Sequence, residues 1–137
     1  MATRILIADD DVSIRCLLRR LLEEHSDWQV CGEAANGHDA VLRVEDLDPD
    51  VVILDLAMPK MNGFQAAREI SARFPRVPML LLTVQEISSE LATEARRAGF
   101  SGAVTKSTGA EIVGGVEVLL RERRLFALSP TDLPAHN

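Results

Sequence analysis

The sequence predicts an α/β fold: a doubly wound, five-stranded parallel sheet with five helices. Three observations predict it. Short, continuous apolar runs recur along the chain, as in strands buried on both faces. Helical periodicities fill the stretches between them. The length of 137 residues suits one ordinary domain, because a right-handed strand-helix-strand alternation closes a compact sheet at about this size.

The first run is Ile5–Ala8. A helix follows, with Ile14, Leu17, Leu18 and Leu21 in i, i+3, i+4, i+7 spacing and Arg15, Arg19, Arg20 and Glu23 around that stripe. Trp28–Ala34 is less apolar and contains Gly32, so it is expected as an edge strand. Asn36-Gly37 opens a second helix that stops before Asp48-Pro49. Val51–Leu54 is the third strand, and Asn62-Gly63 opens a helix ending near Phe74-Pro75. Met79–Leu82 is the fourth strand. Ile87, Leu91, Ala95 and Ala98 mark the next helix, with Gly99 as its C-terminal cap. Ala103–Val104 is the fifth strand. Thr108-x-x-Glu111 has capping-box spacing for the last helix, whose apolar face is Ile112, Val116, Leu119 and Leu120. Gly114-Gly115 inside that helix reads as close packing onto the sheet rather than as a loosened helix. Residues 1–127 are expected to form the domain, and 128–137, with two prolines and no periodicity, a tail or the start of a linker.

Composition narrows the function. Apolar residues make up 47% and aromatics 4%, so the core rests on Leu, Val, Ile and Ala and needs no staples. The net charge of -6 argues against nucleic-acid binding by this chain alone, which needs clustered Lys and Arg. Arg121, Arg123 and Arg124 instead suit the negative end of a helix dipole. Cys16 and Cys31 are expected as reduced, buried thiols. There is no signal-peptide pattern and no run long enough to span a bilayer, so a cytoplasmic location is expected, without a membrane partner.

The chemistry sits at the strand ends. Asp9, Asp10 and Asp11 follow the first strand, Asp55 the third, Thr83 the fourth, and Thr105 and Lys106 the fifth. In a parallel sheet these ends share one edge, where ligands bind. Asp11 alone reads as a helix N-cap. The remaining carboxylates repel one another unless a cation intervenes. With oxygen ligands and no soft ones, Mg2+ is the expected ion.

These motifs resemble the receiver domain of two-component response regulators. The resemblance runs from about Arg4 to Arg123. It is carried by Asp50-Val-Val-Ile-Leu-Asp55-Leu-Ala-Met58-Pro59-Lys-Met-Asn62-Gly63, by Ile5-Leu-Ile-Ala-Asp9-Asp10, by Leu80-Leu-Leu-Thr83 and by Gly102-Ala-Val-Thr-Lys106. It implies a flavodoxin-like sheet in the order 2-1-3-4-5. It implies that Asp55 accepts a phosphoryl group from a histidine kinase. Asp10 and Asp55 would ligate Mg2+ directly, Asp9 through a water and Ala57 through its backbone carbonyl. Lys106 would pair with Asp55 and then a phosphoryl oxygen, and Thr83 would turn inward to hydrogen-bond the phosphoryl group. The implied partners are a sensor histidine kinase or a phosphotransfer protein, and homodimer formation is possible. The implied role is a phosphoprotein switch in phosphorelay signalling, not an enzyme with a separate substrate.

The chain departs from the family in places. The position three residues before Lys106, often Tyr or Phe, is Ala103, so no ring there can swing inward. Val84 stands where a small residue is usual and is expected to crowd the site. Gln85 and Ala57 occupy positions that tune dephosphorylation. Ser107 replaces a frequent cis-proline, and a cis bond before Ser would cost about 2.5–4 kcal/mol. Arg96 to Pro130, with Ala98-Gly-Phe-Ser-Gly102, looks similar to regulators that carry a helix-turn-helix output domain. Two other readings compete: a Mg-dependent hydrolase with an Asp nucleophile, which Ala57 disfavours because such enzymes place an acid there, and an unphosphorylated receiver-like scaffold.

Overall fold

The structure, a computed structural model, describes residues 2–106 and 109–122. Five strands alternate with five helices: β1 (Thr3–Ala8), α1 (Val12–Glu23), β2 (Trp28–Ala34), α2 (Gly37–Leu47), β3 (Val51–Asp55), α3 (Gly63–Arg73), β4 (Met79–Thr83), α4 (Ser89–Ala98), β5 (Gly102–Thr105) and α5 (Gly109–Glu122). All strand pairs are parallel, and the order is β2-β1-β3-β4-β5. The expected flavodoxin-like order therefore holds, with β2 at an edge.

Pleating sends alternate side chains to opposite faces. Leu6, Ala8, Val52, Leu54, Met79, Leu81 and Ala103 face α2, α3 and α4. Ile5, Ile7, Ile53, Leu80, Leu82 and Val104 face α1 and α5. Both faces are covered, which explains the continuous apolar runs of β1, β3 and β4. Strand order reverses between β1 and β3, and the crevice of such a sheet opens there, beyond the carboxyl ends.

The caps follow the local sequence. The Asp11 carboxylate accepts from the Ser13 N–H at 2.8 Å, as a helix N-cap does. Asn36 caps α2, and Asn62 with Gln65 forms a full capping box on α3. Gly99 ends α4 with a φ of 105°, in the left-handed region. A Cβ on Gly115 would meet Val104 Cγ1 at 3.1 Å and Leu80 Cδ2 at 3.2 Å, so this glycine does lie close against the sheet.

Three expectations need correction. Leu17 is exposed, and Leu22 instead joins Leu18 in the core, because the sheet meets α1 one position further round. Ile87 packs on the core from the loop before α4, since Ser88 is that helix's cap. Both cysteines are free, but Cys16 is exposed on α1 and Cys31 only half-buried. The Thr108 capping box, the peptide bond before Ser107, Arg123, Arg124 and the tail 128–137 lie outside the described residues.

Candidate functional site

The site begins with the sheet register. Ala8 lies beside Leu54, so Asp9 continues beside Asp55, the last residue of β3. Asp55 is level with Leu82, and Thr83 is level with Thr105. Four strand ends thus deliver their next polar residue to one row. Carboxylate oxygens of Asp9, Asp10 and Asp55 lie within 4.8 Å of one another. Lys106 Nζ donates to Asp9 Oδ2 at 2.8 Å and lies 3.1 Å from Asp55 Oδ1. The expected lysine-aspartate pair is therefore a bridge, and its shorter arm goes to Asp9.

The bridging lysine leaves this site with excess negative charge. Asp9 is fully buried and Asp55 nearly so, while Asp10 is open to solvent. Two carboxylates about 4 Å apart repel by about 4 kcal/mol at an effective dielectric of 20. Burial raises the Asp55 pKa above the usual carboxylate value; the Lys106 hydrogen bond opposes that, and the charge of Asp9 adds to it. Burial works against the Lys106 ammonium, but the hydrogen bonds to Asp9 and Asp55 outweigh it and hold its pKa above the ordinary lysine value.

Backbone packing fixes the loop after Asp55. Leu56 N–H donates to Leu82 O at 3.1 Å, and Gly63 N–H donates to Leu56 O at 2.9 Å. Gly63 lies so close that a Cβ there would fall 2.5 Å from Asp55 O and 2.9 Å from Leu56 Cα. Gly37, at the start of α2, donates to Met61 O at 2.9 Å and clamps the far end of the loop. Ala57 is exposed two residues after Asp55.

Thr83 is buried, and its hydroxyl accepts from the Gln85 N–H at 3.1 Å. Lys106 N–H donates to Thr83 O at 2.8 Å, tying the fourth strand end to the fifth. Val84, expected to crowd the site, is 80% exposed beside buried Thr83. Sequence reasoning passed over Arg15 and Glu33. Arg15 was read as part of the polar rim of α1, yet its Nη1 donates to Asp9 O at 2.6 Å and its Nε to Glu33 Oε1 at 2.8 Å. The available signal was a charged residue next to the end of strand β2, one position before Ala34, which pairs with Ala8.

No helix among the described residues is long and apolar enough to cross a membrane. Residues 5–114 match the family described as the response regulator receiver domain. A crystal structure of a LuxR-family two-component response regulator from Aurantimonas sp. SI85-9A1 superposes with a TM-score of 0.88 at 35% identity, covering 96% of this chain and 93% of that one. The protein-glutamate methylesterase/protein-glutamine glutaminase of Alkalilimnicola ehrlichii is 36% identical over 130 residues, which are 93% of this chain and 33% of that protein. The response regulator GacA of Pseudomonas viridiflava is 31% identical over 125 residues, 90% of this chain and 58% of that protein. The chain thus spans between a third and somewhat over half of these curated relatives. With a match over most of its length, a shared fold and the strand-end residues in register, the chain belongs to the response regulator receiver domain family.

Proposed function

We propose that this chain is a phosphorylation switch in which Asp55 accepts a phosphoryl group from the phosphohistidine of a sensor kinase or phosphotransfer protein. The observation that carries the reading is the Lys106 bridge between Asp9 and Asp55 beside the open carboxylate of Asp10.

The donor set fits Mg2+. It is all oxygen and one of its members, Asp10, is exposed. Ligands of an octahedral Mg2+ lie about 3 Å apart when adjacent and about 4 Å when opposite, and the three carboxylate oxygens lie within 4.8 Å of one another. Asp10 and Asp55 would hold the ion directly, Asp9 through a water, and Ala57 through its carbonyl. Bound there, Mg2+ would supply charge neutralisation at the phosphoryl oxygens.

The protein's own residues do the rest. An Asp55 carboxylate oxygen forms the new bond to phosphorus as the donor's P–N bond breaks and its electron pair returns to the imidazole. Lys106, kept protonated by its raised pKa, releases Asp55 and pairs with a phosphoryl oxygen. Thr83 rotates its hydroxyl toward the same group. Water later cleaves the acyl phosphate. The only reaction the chain assists is this gain and loss of its own phosphoryl group. The methylesterase relative is an enzyme, but this chain spans a third of it. Altered contacts along α4, β5 and α5 would pass the state to a partner, a further domain of the whole protein, or a second copy of the chain.

Beryllofluoride with Mg2+ tests this. The wild type should bind the pair in 1:1 stoichiometry with changed NMR shifts around Asp55 and Thr83, and Asp55→Asn should not. Binding that survives Asp55→Asn, or none in the wild type, sinks the reading. Steady turnover of a phosphate ester, lost in Asp55→Asn, would favour the hydrolase.

A further inference from the structure

Asp9 is held at every polar atom it possesses. Its N–H donates to Ala34 O at 3.0 Å, Oδ1 accepts from Asp11 N–H at 2.9 Å, and Oδ2 accepts from Lys106 at 2.8 Å. Its carbonyl accepts from Arg15 Nη1 at 2.6 Å. The first three contacts belong to the strand, the turn and the phosphorylation chemistry. The fourth has no part in any of them.

That contact is itself braced. Arg15 Nε donates to Glu33 Oε1 at 2.8 Å, and the other carboxylate oxygen of Glu33 takes Arg19 Nε at 3.0 Å and Nη2 at 2.8 Å. A guanidinium is a rigid planar fork, so fixing Nε on a carboxylate fixes the direction of Nη1. The Arg15 side chain is only 16% exposed, so little water competes for it. The Asp9 carbonyl lies in the peptide plane that joins Asp9 to Asp10, and that plane is stiff. Holding the carbonyl therefore sets the direction in which the chain enters Asp10, whose side chain is exposed.

We infer that Arg15 is a positioning residue of the metal site: it orients the Asp9–Asp10 peptide so that the Asp10 carboxylate converges with Asp9 and Asp55, and Glu33 holds Arg15 in place. This inference rests on the magnesium reading above. It makes a prediction of unusual sign. By charge alone, a cation beside a cation site weakens binding, so Arg15→Gln would tighten Mg2+. By orientation, Arg15→Gln weakens it.

Calorimetric titration of the full chain with Mg2+ separates the two. Loss of a group that orients a ligand should weaken Mg2+ binding about tenfold in Arg15→Gln. Arg15→Lys should lose less, since an ammonium reaches the carbonyl or Glu33 but not both. Arg20→Gln removes the same charge from an exposed position of α1 outside the Arg15–Glu33 contacts, and should leave affinity within about twofold of wild type, since an exposed charge is worth little. Thermal melts in EDTA establish that each variant is folded. If Arg15→Gln does not fold, Arg15→Lys and Glu33→Gln carry the test, and unchanged affinity in both overturns the inference. Equal or tighter binding by Arg15→Gln also overturns it, as does an equal loss in Arg20→Gln. A wild-type chain that binds no Mg2+ overturns the magnesium reading and this inference together, whereas wild-type binding with an unaffected Arg15→Gln overturns only the latter.

Discussion

Gly63→Ala should destabilise the chain and Gly115→Ala should not, and the reason lies in what each new methyl meets. On Gly63 the Cβ would fall 2.5 Å from Asp55 O and 2.9 Å from Leu56 Cα, both backbone atoms of β3 and its exit. The start of α3 or the end of β3 must then move by about 0.5 Å or more, and overpacking of this kind costs about 1–3 kcal/mol. Gly63 is the first residue of α3, so little of the helix-propensity gain offsets the cost. We expect a net loss of about 2 kcal/mol, with weaker Mg2+ binding because the displaced atoms carry Asp55. On Gly115 the methyl meets side chains, Val104 Cγ1 at 3.1 Å and Leu80 Cδ2 at 3.2 Å. Those ends can yield by tenths of an ångström, while replacing a mid-helix glycine gains about 1 kcal/mol. Gly115→Ala should therefore be neutral or stabilising by up to about 1 kcal/mol. Urea unfolding with unchanged m-values measures both. A Gly63→Ala variant as stable as wild type, or a Gly115→Ala variant as damaged as Gly63→Ala, would refute the argument.

Lys106→Met keeps much of the side-chain volume but removes the ammonium between Asp9 and Asp55, so the chain should lose about 2 kcal/mol or more in EDTA and regain part of it on adding Mg2+; equal stability with and without the lysine would count against the bridge. Glu33 has its pKa depressed, because the Arg19 and Arg15 hydrogen bonds outweigh its burial. A depressed acid stabilises above its unfolded value and loses that contribution as pH falls through the folded one. The stability gap between wild type and Glu33→Gln should thus be full above its ordinary value of 4.5 and close below it; a gap that widens in acid in chemical denaturation would contradict the pairing. Disulfide-reagent kinetics at neutral pH should show one fast thiol, Cys16, and one slow thiol, Cys31, whose pKa burial pushes up. Two equal rates, or thiols that react only after reduction, would contradict it.

What the sequence shows, and what it hides, follows from which neighbours an element has. β1, β3 and β4 are legible because helices cover both their faces, so nearly every residue is apolar. β2 reads less clearly because it is an edge strand, and its register shift opposite Ile5 and Leu6 leaves no local trace. Leu17 and Leu18 are about 100° apart on a helix, and both satisfy the periodicity that Leu21 and Leu22 continue; only the sheet's position chooses between them. The strand-end residues Asp9, Asp10, Asp55, Thr83 and Lys106 are legible because parallel topology sends them to one edge. That Lys106 reaches Asp9 as well as Asp55 depends on a long side chain spanning adjacent strands, which spacing does not show. Arg15 is hidden for a related reason. Its meaning depends on Glu33, and the two meet only because β2 lies beside β1.

The same contacts bear on how a phosphorylated state would leave the site. The acceptor side is stiff: Gly63 and Gly37 bring backbone against backbone around the loop from Asp55 to Met61. The exit side is loose. Val84, Gln85 and Glu86 are exposed, and of the residues before the α4 cap only Ile87 packs on the core, and then partly. Segments with few buried apolar contacts open at low free-energy cost. Thr83 joins the two sides, since its hydroxyl accepts the Gln85 N–H at 3.1 Å. A hydroxyl can donate and accept at once, but turning Oγ1 toward a phosphoryl group on Asp55 changes its distance to that N–H. Such a displacement would pass to Gln85 and on toward Ser88, which caps α4. Ala103, fully buried with only a methyl group, can add nothing to it. On this reading the lever runs through the start of α4, and the missing ring on β5 removes an amplifier rather than the switch.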